Sequence, residues 1–202
     1  MSRKQRFLRS ISFRRIGIAS ALAIAALTLS ACANSNSTTA DEANSAGDQP
    51  LGYRYWGYSQ SSTDGSSWVT AMEGPATTKP SDGSVEGWNY TISAEGVVDP
   101  TPPKTLPDFT SLCAQTAEES GKKRVGFVIE FGDSAIHPEG ELAPNPSSGC
   151  VVVPENGTGL DVLNVAAKVR AGDGGFICGL NGFPSEDCGA DPIPVPQSMR
   201  KK

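Results

Sequence analysis

Three sets of residues have types and spacings that could do chemistry, and the first is the cysteines. Cys32 follows Leu29-Ser30-Ala31 at the end of an uncharged run, while Cys113, Cys150, Cys178 and Cys188 lie far downstream. A thiolate is a strong nucleophile, so Cys32 is a candidate for acylation. An even set of four cysteines in an exported chain favours two disulfides. The preferred pairing is Cys113–Cys150 and Cys178–Cys188, the second closing a short loop that contains Gly182 and Pro184, although sequence alone leaves the other pairings open. There is no C-x-x-C, and His137 is the only histidine. A zinc site or a thioredoxin-type redox centre is therefore not expected, and neither is any cofactor.

The second set lies around Ser134. Gly132-Asp133-Ser134 follows the hydrophobic strand Val125–Phe131, which is where one esterase family places its nucleophile. Such an enzyme also needs a base held by an acid. His137 is three residues on, no second histidine exists for a distal block, and oxyanion Gly and Asn blocks are absent. A Ser134-dependent hydrolase is thus the weaker alternative to a solvated loop, and no catalytic residue is expected. Glu130, Asp133, Glu139 and Glu141 gather acid beside the same loop. Carboxylate pairs hydrolyse glycosides or hold calcium, but no calcium-loop spacing is present and a solvated charged loop is the simpler reading.

Aromatic residues form the third set. Tyr53, Tyr55, Trp56, Tyr58, Trp68, Trp88 and Tyr90 concentrate in the N-terminal half. Alternation along a strand places Tyr53 and Tyr55 on one face and Arg54, Trp56 and Tyr58 on the other. One face must be core. The other could stack a planar ligand or a sugar, and Arg54, Trp56 and Tyr58 are taken as the candidate ligand-binding residues; aromatic packing in a small core is the competing account.

The N-terminus supplies an address. Arg3, Lys4, Arg6, Arg9, Arg14 and Arg15 precede the uncharged, Ala/Ile/Leu-rich stretch 16–31. A basic region, a short apolar region and small residues before a cut describe a signal peptide, and the apolar run is short for a membrane span, which needs about 20 residues. Leu29-Ser30-Ala31-Cys32 resembles a lipobox, in which the Cys thiol takes a diacylglyceryl group and becomes the first residue. Two or more acyl chains are needed for stable anchoring. The implied location is the extracytoplasmic face of the cell membrane. Ala31-Cys32-Ala33 also fits an ordinary cleavage site, which would release a secreted protein starting at Asn34.

Removing residues 1–31 leaves 11 Lys and Arg against 22 Asp and Glu, a net charge of about −11. Such a surface disfavours phosphate backbones, so nucleic acid is not an expected partner. Residues 33–50 lack any large apolar side chain and read, with Cys32, as a lipidated flexible tether with a reach of roughly 20–25 Å. Residues 51–188 then form a single domain, and 189–202 read as an extended, Pro-rich basic tail.

Within the domain, strands are expected at Tyr53–Tyr58, Trp68–Met72, Trp88–Ile92, Val125–Phe131, Cys150–Val153 and Phe176–Leu180. The first two could form a hairpin, and Asn181-Gly182 reads as a turn. One helix is expected from N-cap Asp108 through Ala117 towards Gly121, and another from the capping box Thr158…Asp161 to near Gly172, with Val162, Leu163, Ala166, Ala167 and Val169 on one face. The expected class is α+β, with about six strands in a mostly antiparallel or mixed sheet and two short helices, stapled by disulfides.

Tyr53-Arg54-Tyr55-Trp56, Glu73-Gly74-Pro75-Ala76 after Trp68, Val85-Glu86-Gly87-Trp88, Lys123-Arg124-Val125 with Phe131-Gly132, and Ile177-Cys178 with Gly182-Phe183-Pro184 together resemble a poorly characterised exported family of actinobacteria. The likeness spans most of 53–188. It implies a setting beside energy-coupling-factor vitamin importers, with an importer or envelope protein as partner and a small molecule as ligand. Gly159-Leu160-Asp161-Val162-Leu163 through Gly182 is similar to the C-terminal domain of transcobalamin-like proteins. The function so implied is that of a binding or accessory protein rather than an enzyme. An envelope protein-interaction domain is the alternative.

Overall fold

The computed structural model describes residues 49–201. The expected leader, Cys32 and nearly all of the tether lie outside the described residues. The elements are β1 (Leu51–Ser61), β2 (Trp68–Thr70), β3 (Val85–Ser93), α1 (Phe109–Leu112), β4 (Lys122–Glu130), β5 (Ser147–Pro154), α2 (Gly159–Ala166), β6 (Val169–Ala171), β7 (Ile177–Leu180) and β8 (Ile193–Pro194). A mixed six-stranded sheet runs β2-β1-β3-β4-β5 with β8 added to β1, and β6 and β7 make a separate pair. The class is α+β. Among the described residues, no helix is long and apolar enough to cross a membrane.

The central strand explains the architecture. β3 pairs antiparallel with β1 and parallel with β4. Its residues from Val85 to Ile92 are all buried, although Trp88, Tyr90 and Ile92 alternate with Asn89 and Thr91. Alternation in the sequence predicts one wet face. Here both faces are covered, and a loop meets the polar one: Asn89 Nδ2 donates to Thr101 O at 2.9 Å. The Pro-rich connection after β3 can lie this close because the sheet offers glycines. A Cβ on Gly57 would stand 2.7 Å from Pro100, and one on Gly87 2.7 Å from Trp68. Glu130 accepts the main-chain N–H groups of Lys104 and Thr105, at 2.7 and 2.9 Å. The Cys113–Cys150 disulfide ties α1 to β5.

The opposite face is the main core. Trp56, Trp88, Tyr90, Val125, Ile129, Val151 and Val153 pack there with Val162 and Leu163 of α2, Leu180, Phe183 and Val195. The capping box opens α2 as expected: Asp161 N donates to Thr158 Oγ1 at 3.2 Å, and Thr158 N to Asp161 Oδ2 at 2.7 Å.

Three expectations are corrected. The α2 helix stops at Ala166 rather than near Gly172. Lys168 N instead donates to Asn181 Oδ1 at 2.9 Å, and β-branched Val169 pairs with Leu180 in β6–β7. Arg170, expected in a last helical turn, gives Nη2 to the carbonyls of Cys178, Pro184 and Asp187. The α1 helix is one turn long, because Cys113 at its end is held in the disulfide. The tail is also packed rather than loose. Ile193–Pro194 joins the sheet, Val195 is buried, Val195 N donates to Pro50 O, and Lys201 N to Gly96 O. The Asn181-Gly182 turn is present, both residues in left-handed conformation between Leu180 and Phe183.

Candidate functional site

β1 carries the site. Its register with β3 sets Arg54 against Ile92, Trp56 against Tyr90, Tyr58 against Trp88 and Gln60 against Glu86. The face expected to be open is therefore the packed one: Trp56 is 6% exposed and Tyr58 8%, while Tyr53 on the other face is 52% exposed. The reason is the company across the ladder. Trp56 meets Tyr90 and Phe131 with ring centroids 5.5 and 5.4 Å apart, and Tyr58 stacks on Trp88 at 5.4 Å. The three candidate ligand-binding residues share one face, with Trp56 and Tyr58 buried in it.

At the Tyr58 end the polar atoms are closed in. The Tyr58 hydroxyl donates to the Glu86 carboxyl and lies 2.8 Å from Thr78 Oγ1. Gln60 Nε2 donates to Glu86 Oε1 at 3.2 Å. Glu86 is wholly buried, and burial pushes its carboxyl above the ordinary carboxylate range, against the pull of Tyr58, Gln60 and the Lys123 charge. Burial likewise pushes the Lys123 ammonium down; Nζ donates to Pro80 O and Gly157 O, at 2.6 and 2.8 Å. Gly159, the first residue of α2, is glycine because a Cβ would stand 2.6 Å from the Tyr58 oxygen. The cluster pins the Thr78–Pro80 loop and the start of α2 to the sheet.

The Arg54 end is open. A cleft of about 440 Å³ is lined by Tyr53, Arg54, Trp56, Tyr90, Phe176 and Asp187, with the Cys178–Cys188 disulfide in its wall. Arg54 Nη2 lies 2.6 Å from Asp187 Oδ2. Two buried donors there, Arg54 Nε and Trp56 Nε1, have no partner among the described residues; Arg54 Nη1 donates to Ile136 O at 3.4 Å, and the Tyr90 hydroxyl faces the Asp187 carboxylate. Burial first, then the Asp187 charge, pushes the Tyr90 phenol up, so it stays a neutral donor. A second cleft of about 450 Å³ runs on towards Met72 and Pro75 and shares Tyr55, Trp56, Phe176 and Ile177 with the first. Phe176 is 69% exposed at the end of a glycine-rich turn in which Gly174 and Gly175 are left-handed. Convergent unpartnered donors over an aromatic floor make a binding cleft. Tyr90 stands in the aromatic set but not among the three candidate ligand-binding residues, and Phe176 and Asp187 stand in neither. The exposed Phe176 after Gly172-Asp173-Gly174-Gly175 is the one signal that pointed to it.

The other candidates are not brought together. Ser134 opens one turn of 3₁₀ helix capped by Asp133, whose Oδ1 accepts Ala135 N at 2.9 Å. The His137 ring nitrogen lies 2.7 Å from Phe131 O, and its ring packs against Phe183 at 4.8 Å. The hydrogen bond joining the pair is main-chain, His137 N to Ser134 O. Glu130 holds the loop over β3, Asp133 accepts from Ser198, and Glu141 accepts the N–H and hydroxyl of Ser185. Among the described residues no group of three or more His, Cys, Asp or Glu could hold a metal ion. Both disulfides form with the preferred pairing, at Cα separations of 4.9 and 4.5 Å, and fit an oxidising, extracytoplasmic compartment.

No curated protein and no solved structure matches the chain. Residues 48–192 match the SCO2322-like domain, a span that takes in β1 through β7, both disulfides and both clefts, and that is consistent with the actinobacterial family the motifs resemble. The chain belongs to the SCO2322-like domain family.

Proposed function

We propose that the chain is a lipid-anchored extracytoplasmic binding protein, held at the membrane by acyl chains on Cys32, that receives its ligand in the cleft along β1. The observation that carries this is the pair of buried donors without a partner among the described residues, Arg54 Nε and Trp56 Nε1, set beside the Tyr90 hydroxyl over an aromatic floor. An unsatisfied buried polar group costs about 1–3 kcal/mol, and a ligand that accepts these donors removes that cost. The resemblance to exported proteins encoded beside vitamin importers supplies the setting, an accessory to uptake. Ser134 and His137 have no catalytic role in this reading, and the hydrogen bond between them is main-chain.

The test is to follow the Trp56 indole N–H by NMR, and the melting temperature, as corrinoids and envelope-derived glycans are added to the mature chain. A shift of that resonance with a raised melting point is expected, and its loss in Arg54→Met confirms the cleft. No response to any of them counts against small-molecule binding. The anchor is tested by intact mass of membrane-extracted protein. A chain starting at acylated Cys32 is expected, and one starting at Asn34 or Met1 overturns the anchor.

A further inference from the structure

The cleft is lined by four consecutive residues, Tyr53, Arg54, Tyr55 and Trp56. Neighbours along a strand point to opposite faces, so a cleft touching all four lies at the edge of β1 rather than on either face. That edge is incomplete. β3 pairs with β1 from Tyr53 to Gln60. On the other side β8 covers only Leu51 and Gly52, and β2 only Ser59 to Ser61. Residues 53–58, about 20 Å of strand at roughly 3.3 Å per residue, have no strand neighbour there.

The register shows which main-chain groups face the gap. Pro50 O accepts from Val195 N, and Tyr58 O from Ala71 N, so the even-numbered residues of β1 turn their N–H and C=O outward. At Arg54 the carbonyl is overlain by Gly189, where a Cβ would stand 2.1 Å from it. At Trp56, midway along, neither N–H nor C=O has a partner among the described residues on that side. Natural proteins cover or blunt such an edge. Here it faces a cleft whose far wall is Phe176 and Ile177, with Met72 94% exposed at the rim.

We propose that an extended polypeptide segment adds to β1 as a strand between β8 and β2, bonding to the main chain of Trp56 and placing apolar side chains against Tyr53, Met72 and Phe176. A donor and an acceptor side by side on Trp56 match the N–H and C=O of one residue of a short extended segment, seated between the closed Arg54 and Tyr58 carbonyls. The net charge of about −11 over residues 32–202, with Glu73 at the second cleft, selects a neutral or basic segment. This rests on the reading of the cleft as a binding site and names the class of its partner.

Random nonapeptides displayed on phage are selected against the mature chain in detergent, and amide hydrogen exchange is measured with the best synthetic peptide. Strand addition slows exchange of the Trp56 amide about a hundredfold or more. N-methylation of alternate peptide residues weakens binding about tenfold in one phase and little in the other, and Phe176→Ala weakens it without unfolding the domain. Selected peptides that leave the Trp56 amide unchanged overturn the proposal. So does a Trp56 amide already slow in the free chain, or one that slows with protein concentration alone, which makes a second copy the occupant. A corrinoid or glycan that shifts the Trp56 indole while no peptide protects its amide sinks strand addition and spares the binding cleft; silence from peptides and small molecules alike sinks both.

Discussion

At the Tyr58 end of β1, the hydroxyl, Gln60, Thr78 and Glu86 hydrogen-bond to one another inside the protein. Further along the same face, the buried Arg54 Nε and Trp56 Nε1 have no partner among the described residues. Both ends use aromatic and charged side chains on the same pair of strands. They differ in what covers them. The Thr78–Pro80 loop and the first turn of α2 close over one end, whereas at the other Ile136 O and Asp187 hold the Arg54 guanidinium and a cleft stays open beside Phe176. Polar groups that complete each other hold a fold together; polar groups left incomplete are available to something else.

Stability and binding should therefore separate along β1. The largest effect is expected from Cys113→Ser with Cys150→Ser. The bridge closes a loop of 37 residues, and chain entropy assigns it about 4 kcal/mol against about 3 for Cys178–Cys188, which spans 10. Urea melts of the two double variants rank them, and only the second should disturb the cleft. A reversed ranking breaks the assignment of stability to the closed side.

Glu86→Ala removes the acceptor shared by the Tyr58 hydroxyl and the Gln60 amide, leaves the hydroxyl with Thr78 alone, and should cost about 3 kcal/mol in the same melts. A loss below about 1 kcal/mol would put the cluster on a par with the open end. The same carboxyl gives a pH signature. Its folded pKa is raised, so its contribution is complete below the unfolded value and declines as pH rises through the folded one. Lys123, lowered by burial, and the Tyr58 phenol, raised by it, face the same cluster. Glu86→Gln should flatten the decline on the carboxylate side, and an unchanged profile assigns it elsewhere.

Arg54→Met breaks the Asp187 pair and should cost only about 1–2 kcal/mol, yet abolish the response of the Trp56 indole to ligand. Phe176→Ala, at an exposed position, should leave stability within about 0.5 kcal/mol and register only in binding.

How much was legible varied with the range of the interaction. The disulfide pairing was a preference that the fold decided. Strand positions, the Thr158 cap and the Asn181-Gly182 turn follow from short-range chemistry: alternation and side-chain-to-backbone bonding. The end of α2 did not, because Val169 is drawn into a strand by Leu180. The packed tail did not either, since what holds Val195 is the distant Pro50 carbonyl. For the cleft, Arg54 and Trp56 were visible as aromatic–cationic neighbours. Asp187 sits beside Cys188 with nothing local to mark it, and it reaches Arg54 because the chain returns past β1.

The residues alone determined that β1 has two unlike faces, that the chain beyond residue 31 is acidic, and that the cysteines suit two bridges. Those are properties of composition and of the two-residue repeat of a strand. Which face is buried, and that one end of it stays unfilled, was decided in three dimensions. Burial depends on what the sheet's neighbours bring over it, and α2, the Thr78 loop and the disulfide loop come from parts of the chain that a local pattern does not join.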